Sequence, residues 1–300
     1  MKKLYILSFV LLTSLSFGQA FTGTYDFAGV TNSTGLIDPS PVPTATGVTF
    51  GSFIAVNPVA TNSTGGGRFS IDNQPLGATH GDNVYANLTG ALDPAIYFEV
   101  TLTPQSGNNL TLSQITFRSQ RSSTGIRTYS VRSSTDGFAT NLVASINPAN
   151  PELSVEANNV FFRVLDAITS GQNGSTITLS GASFTNLTSP ITFRFYGWNA
   201  EATGGTFSID DVAFTGSTST LSVKQNTIAG LNVYVNNKNL YVTSDSNEAK
   251  SVEIYNILGK NVINAKVANQ AINVSDLASG IYIVKVTENG KSNTLKVAIK

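Results

Sequence analysis

The 300-residue chain contains no cysteine. That excludes a disulfide framework, a thiolate metal site, a cysteine nucleophile and a lipid anchor on an N-terminal cysteine. It has one histidine, His80, so a metal centre built from several histidines is excluded as well. Charge is scarce: 12% of residues are Asp, Glu, Lys or Arg, about half the usual share of a soluble domain. Thr, Ser, Asn and Gly fill the gap, a mix that serves strands and turns rather than helices held by charge pairs. Beyond the N-terminus no run is long and apolar enough to predict a transmembrane segment. What is present suffices for a core: 41% of residues are hydrophobic and the formal net charge is zero, which argues against disorder. The length fits roughly two domains.

The N-terminus reads as a signal peptide over residues 1–18. Lys2 and Lys3 precede the apolar run Leu4 to Phe17, and Ser16 and Gly18 supply the small residues a signal peptidase needs. Cleavage there leaves Gln19 first; cleavage after Ala20 is the alternative. A second boundary follows from the basic residues. Gln19 to Thr220 carries seven arginines, no lysine and 13 acids, a net charge of −6. Leu221 to Lys300 carries nine lysines, no arginine and five acids, a net charge of +4. The expected organisation is a body over 19–216, a small polar linker over 217–230 and a tail domain over 231–300.

The body reads as ten short strands separated by turn signals. They are "VTFGSFIAV", "RFSID", "AIYFEVTLT", "LTLSQITFRSQ", "RTYSVRSS", "NLVASI", "NVFFRVL", "STITLSG", "ITFRFYGW" and "TFSIDDVAF". In the third, Ile96, Phe98, Val100 and Leu102 share one face and Tyr97, Glu99 and Thr101 the other. Such spacing without helical periods predicts an all-β, jelly-roll-like sandwich. The tail reads as a second, smaller Ig-like sandwich of six strands, with hairpin signals at "NNK", "LGK" and "TENGKSN".

Three tail segments carry a resemblance: "SVEIYNILGKNV" (Ser251 to Val262), "INVSDLASGIYIVKV" (Ile272 to Val286) and the terminal "KVAIK" (Lys296 to Lys300). Together they resemble the type A C-terminal sorting domain of the type IX secretion system of the Bacteroidetes. Similar tails usually open with a "YPNP"-like segment; here Tyr234 is kept, but Val235, Asn236 and Asn237 replace the proline-containing turn. The resemblance implies a protein that is secreted or displayed on the outer surface, with the secretion machinery and a sortase as partners. It also implies tail removal between Gly216 and Leu231, where an exposed linker would admit a protease.

The body shows no G-x-S-x-G, no Walker A loop and no G-x-G-x-x-G after a strand, and its negative charge argues against nucleic acid. His80 reads as a solvated loop residue in "LGATHGDN". Three features are candidates for binding. On "ITFRFYGWNA", Arg194, Tyr196 and Trp198 share the face opposite Ile191, Phe193 and Phe195; aromatic rings with a guanidinium suit a polysaccharide, while burial of Trp198 under a loop is the structural alternative. In "RSQRSSTGIRTYSVRSS", Arg121 and Arg127, with Arg118 and Arg132, cluster around a turn and would suit an anionic glycan, the alternative being internal ion pairs. In "TFSIDDVAF", a bulge at Asp210–Asp211 would restore one apolar face, and the two acids would offer oxygens to a structural Ca²⁺ if loops holding Asp26 or Asp38 added more. That strand resembles the closing strand of carbohydrate-binding jelly rolls, where an acid often binds such an ion. The functional expectation is a secreted or surface binding module, with polysaccharide as ligand. The alternatives are a structural or adhesive protein without a small ligand and a glycan hydrolase whose carboxylate pair no spacing reveals.

Overall fold

The computed structural model describes residues 18–60, 65–221 and 227–300, and the chain divides into two compact units between residues 221 and 222. The expected signal peptide lies, except for Gly18, outside the described residues.

The strands of the first unit are β1 (Gln19–Tyr25), β2 (Thr44–Ala45), β3 (Val48–Phe50), β4 (Ile54–Val56), β5 (Phe69–Ile71), β6 (Tyr97–Pro104), β7 (Asn108–Arg121), β8 (Thr128–Ser133), β9 (Ala144–Ile146), β10 (Leu153–Glu156), β11 (Val160–Arg163), β12 (Gln172–Thr178), β13 (Ile191–Trp198) and β14 (Phe207–Thr220). They form two antiparallel sheets. One has the order β1-β14-β7-β12-β9, with β5 also against β14; the other has the order β10-β11-β8-β13-β6-β3-β2, with β4 against β6. The sheets face each other across one aromatic-rich core. Phe117 of the first meets Phe195 of the second edge-on at 5.2 Å, and Phe214 lies 5.4 Å from Phe193. Edge-to-face rings at such distances add to the gain from burial. This is an all-β sandwich, as the strand spacing predicts.

Local patterning placed several faces correctly. Ile96, Phe98, Val100 and Leu102 are buried on one side of β6 and its lead-in. On β14 the register against β7 slips between Asp210 and Ala213, and Asp211 takes a left-handed backbone at φ 47°. The slip is the bulge: Phe207, Ile209, Val212 and Phe214 all reach the core despite their mixed parity. The expected linker, by contrast, begins too early. Gly216 to Thr220 continue β14, pairing with Leu112 to Asn108, so Ser217 to Thr220, expected to open the linker, belong to the strand. Ladder bonds use backbone groups, which small polar side chains leave free to pair.

The second unit holds β15 (Asn232–Asn236), β16 (Asn239–Thr243), β17 (Lys250–Tyr255), β18 (Asn261–Val267), β19 (Ala271–Asn273), β20 (Gly280–Glu288) and β21 (Lys291–Ile299). Their sheets run β15-β16-β19 and β18-β17-β20-β21. Asn237 and Lys238, at φ 46° and 57°, form the two-residue hairpin between β15 and β16. Two successive positive φ values are the type I′ signature that matches strand twist, so this turn stands where the proline turn is missing. Tyr282, Val284 and Val286 of β20 enter the tail's own core. Lys250 is fully buried there and pairs with Glu288 at 3.0 Å. Among the described residues no helix is long and apolar enough to cross a membrane.

Candidate functional site

Tyr196 and Trp198 do not form an open platform. Both are buried, with Val160, in a satellite cluster on the outer side of β13, and Tyr85, Leu92 and Tyr97 pack against it. The segment leading into β6 folds over that face, so the rings are walled by protein. Arg194 is held as well: its guanidinium lies 4.1 Å from the Tyr97 ring centre and 3.9 Å from that of Phe138, and its Nε donates to Glu99 at 2.6 Å. The expected glycan-stacking face is therefore a packing feature.

The arginine cluster is also internal. Arg121, at the end of β7, and Arg127, just before β8, are buried, as is Arg163 at the end of β11. Arg132 is tied to Asn141 and to the Phe138 carbonyl. Asp210 and Asp211 do not fit calcium. The Asp210 carboxylate is buried against the Arg118 guanidinium, which takes the place a cation would need, while Asp211 faces solvent. Asp26 is exposed and caps its own turn. Asp38 is buried and accepts from the Ser40 amide, and burial pushes its carboxyl pKa up.

The buried arginines lead to an arrangement that no local pattern disclosed. At one end of the sandwich, the loops after β5, β7, β11 and β13 converge. Arg121 donates from Nη1 to Asp166 Oδ1 at 2.7 Å and from Nη2 to Glu201 Oε1. Its remaining donors reach the carbonyls of Ser122 and Ser123, 3.0 and 2.8 Å away. Arg127 stands 3.6 Å from the same Asp166 oxygen, donates to the Arg163 and Val164 carbonyls, and lies 5.1 Å over the Phe162 ring. Arg163 donates to the Ser119, Ile168 and Ser170 carbonyls, and burial lowers its pKa to about 10. A buried charge is tolerated only when so surrounded.

Above these groups sits His80. Its Nδ1 lies 2.8 Å from Glu201 Oε2 and 3.3 Å from Asp166 Oδ2. The imidazole side chain is 77% exposed, whereas the two carboxylates beneath it are 6% and 2% exposed. Gly81 N–H also donates to Asp166 Oδ2, and Asn83 Oδ1 accepts from the Asp166 amide. Burial raises the Glu201 pKa, and its hydrogen bond with Asp166 raises it further. For Asp166 burial also acts upward, but bonds from Glu201, the Gly81 amide and Arg121 outweigh it and hold the group well below the usual range. The environments of the two carboxyls thus differ in sign. A segment on the Gly77–Gly90 loop is pinned nearby: Asn199, in a left-handed backbone, accepts from the Gly90 amide at 2.7 Å. A Cβ on Gly90 would fall 2.1 Å from the Leu76 carbonyl oxygen, so the close approach needs glycine there.

Leu76, Val84 and Leu165 are exposed large apolar residues on the segments that carry this cluster. Among the described residues the His80 ring nitrogen lies against the Glu201 and Asp166 carboxylates. The site offers two buried carboxylates and an exposed imidazole.

Residues 232–300 match the family model of a secretion system C-terminal sorting domain. The tail is a type IX secretion sorting domain, and the protein is secreted or held at the outer cell surface. No curated protein matches the chain. Among solved structures, the adhesin domain of Epf from Streptococcus pyogenes is 12% identical over 96% of this chain and 99% of that one, with a TM-score of 0.19. HBP35 of Porphyromonas gingivalis is 14% identical over 78% and 64%, TM-score 0.16. Botulinum neurotoxin type C is 12% identical over 92% and 72%, TM-score 0.21. Likeness at these scores carries no argument about this chain.

Proposed function

We propose that the body works outside the cell as a polysaccharide-binding module whose ligand meets the loop end around His80. The observation that carries this reading is the exposed imidazole seated on two buried, pre-oriented carboxyl groups. A sugar is recognised by fixed hydrogen-bonding groups set among apolar surface, and Leu76, Val84 and Leu165 supply the second element. Loops that project from a rigid sandwich are the usual place for such contacts. The body's net charge of −6 favours a neutral glycan over nucleic acid or an anionic polymer. In this reading the tail is spent during export: a sortase cuts between the end of β14 and β15, and the body is then released or joined to surface lipopolysaccharide.

A glycan array probed with the body tests the reading. Hits that weaken on His80→Ala while the melting temperature holds support it, because His80 is exposed and its loss leaves the core intact. Hits that are indifferent to that change move the site elsewhere. An array without hits favours an adhesive or structural role.

A further inference from the structure

We propose that His80, Asp166 and Glu201 form a binding site for a borderline first-row dication such as zinc or copper. The donor set is one imidazole nitrogen and two carboxylate oxygens, all within 4.8 Å of one another. Nitrogen with oxygen suits zinc, copper or nickel, whereas calcium would need about six to eight oxygens, several times the two offered here.

The carboxylates divide their oxygens between two tasks. Asp166 Oδ1 and Glu201 Oε1 face inward and are fixed by Arg121. Asp166 Oδ2 and Glu201 Oε2 face outward to the imidazole. Arg121 therefore acts as the outer partner that orients two ligating groups, a role that carboxylates at metal sites generally require. A tetrahedral ion with bonds of about 2.0–2.2 Å sets its ligand atoms roughly 3.2–3.6 Å apart. His80 Nδ1 already stands 3.3 Å from Asp166 Oδ2 and 2.8 Å from Glu201 Oε2. Binding thus asks the imidazole to withdraw from Glu201 by about half an ångström, on the ~3.3 Å spacing of a tetrahedral zinc site. Its exposure permits that movement.

The remaining coordination position opens on the side of His80, toward solvent. There a water or a hydroxyl of a bound sugar would complete the sphere; that last consequence rests on the glycan reading, while the ion site itself does not. The two are tested apart. Untagged protein, stripped of metal and free of glycan, is titrated with Zn²⁺ or Cu²⁺ against a chromogenic chelator. The expected result is one saturable equivalent, lost by about tenfold or more in affinity on His80→Ala, with the melting temperature of the ion-free variant unchanged. The chain has one histidine, so the Cu²⁺ paramagnetic spectrum should show a single imidazole nitrogen, absent in that variant. Absence of saturable uptake, or uptake that His80→Ala leaves intact, overturns the proposal. Glycan-array hits that persist in chelator would leave the polysaccharide reading standing without it.

Discussion

Replacing Trp198 by alanine separates a packed ring from a ligand platform. Trp198 is 8% exposed and shares its cluster with Val160 and Tyr196, under Tyr85, Leu92 and Tyr97. A tryptophan buries about 150–250 Å², which at ~25 cal/mol per Å² is roughly 4–6 kcal/mol before the unfolded chain's own burial is subtracted. Core Trp→Ala changes cost about 3–5 kcal/mol. The satellite position places this one near the lower end, about 3–4 kcal/mol. For a domain of this size each kcal/mol moves the midpoint by about 2–4 °C, so the body transition should fall by roughly 6–16 °C. Scanning calorimetry reads this directly, and the tail, with its own core, serves as a reference transition that should not move. Trp198→Phe, which keeps an aromatic body, should recover most of the loss. Because Trp198 is the sole tryptophan, the native protein's emission should be that of an apolar, quencher-protected indole. A solvent-exposed ring would cost about 0.5 kcal/mol or less on removal. A shift under ~2 °C, converted by the same slope, would refute the burial argument and restore the stacking face on β13.

Three further outcomes are expected. Arg121→Met leaves Asp166 and Glu201 buried without their shared donor, and loss of one partner from such a network should destabilise the body by about 3–5 kcal/mol, measured by urea unfolding. In the tail, burial pushes the Glu288 carboxyl up, but bonds from Lys250 and Ser244 outweigh it and hold its pKa below the unfolded value. Its stabilisation is therefore complete above the ordinary glutamate range, about 4.3, and is lost as pH falls through the folded value; the tail transition should drop on acidification, and Glu288→Gln should remove that part of the dependence. Cells expressing a chain without residues 231–300 should retain the protein inside, as judged by fractionation, and normal amounts in the medium would contradict the role of the sorting domain.

The sequence disclosed what alternation and local turns encode. The core face of β6, the inward set on β13 and the bulge at Asp210–Asp211 all follow from side-chain parity, which one strand carries by itself. On the outer face of β13, parity says that Tyr196 and Trp198 point away from the sandwich core, and nothing in "ITFRFYGWNA" tells that Tyr85, Leu92 and Tyr97 cover that side, so a ligand platform and burial under a loop both stayed open. The arginines stayed open between glycan contact and internal ion pairs for the same reason. Arg121 meets carboxylates 45 and 80 residues further along the chain, in "VLDAIT" and "WNAEAT", and neither stretch marks its acid among the body's 13. His80 stood out as the single histidine, yet nothing in "LGATHGDN" tells that Asp166 and Glu201 fold beneath it. Strand β1 was overlooked in "QAFTGTY", where small residues mask a pairing made by the backbone.

That overlooked strand has a consequence for how the body matures. Gln19 lies opposite Thr218 and Tyr25 opposite Val212, so the first-made strand waits for a partner synthesised nearly two hundred residues later. Until that partner arrives, β1 exposes unsatisfied amide and carbonyl groups that another copy can capture. Such a long-range closure also delays completion of the domain, since distant pairings form slowly. A chain trimmed just past Tyr25 would keep most of its core yet carry an open seam, and self-association rather than outright unfolding should be its failing.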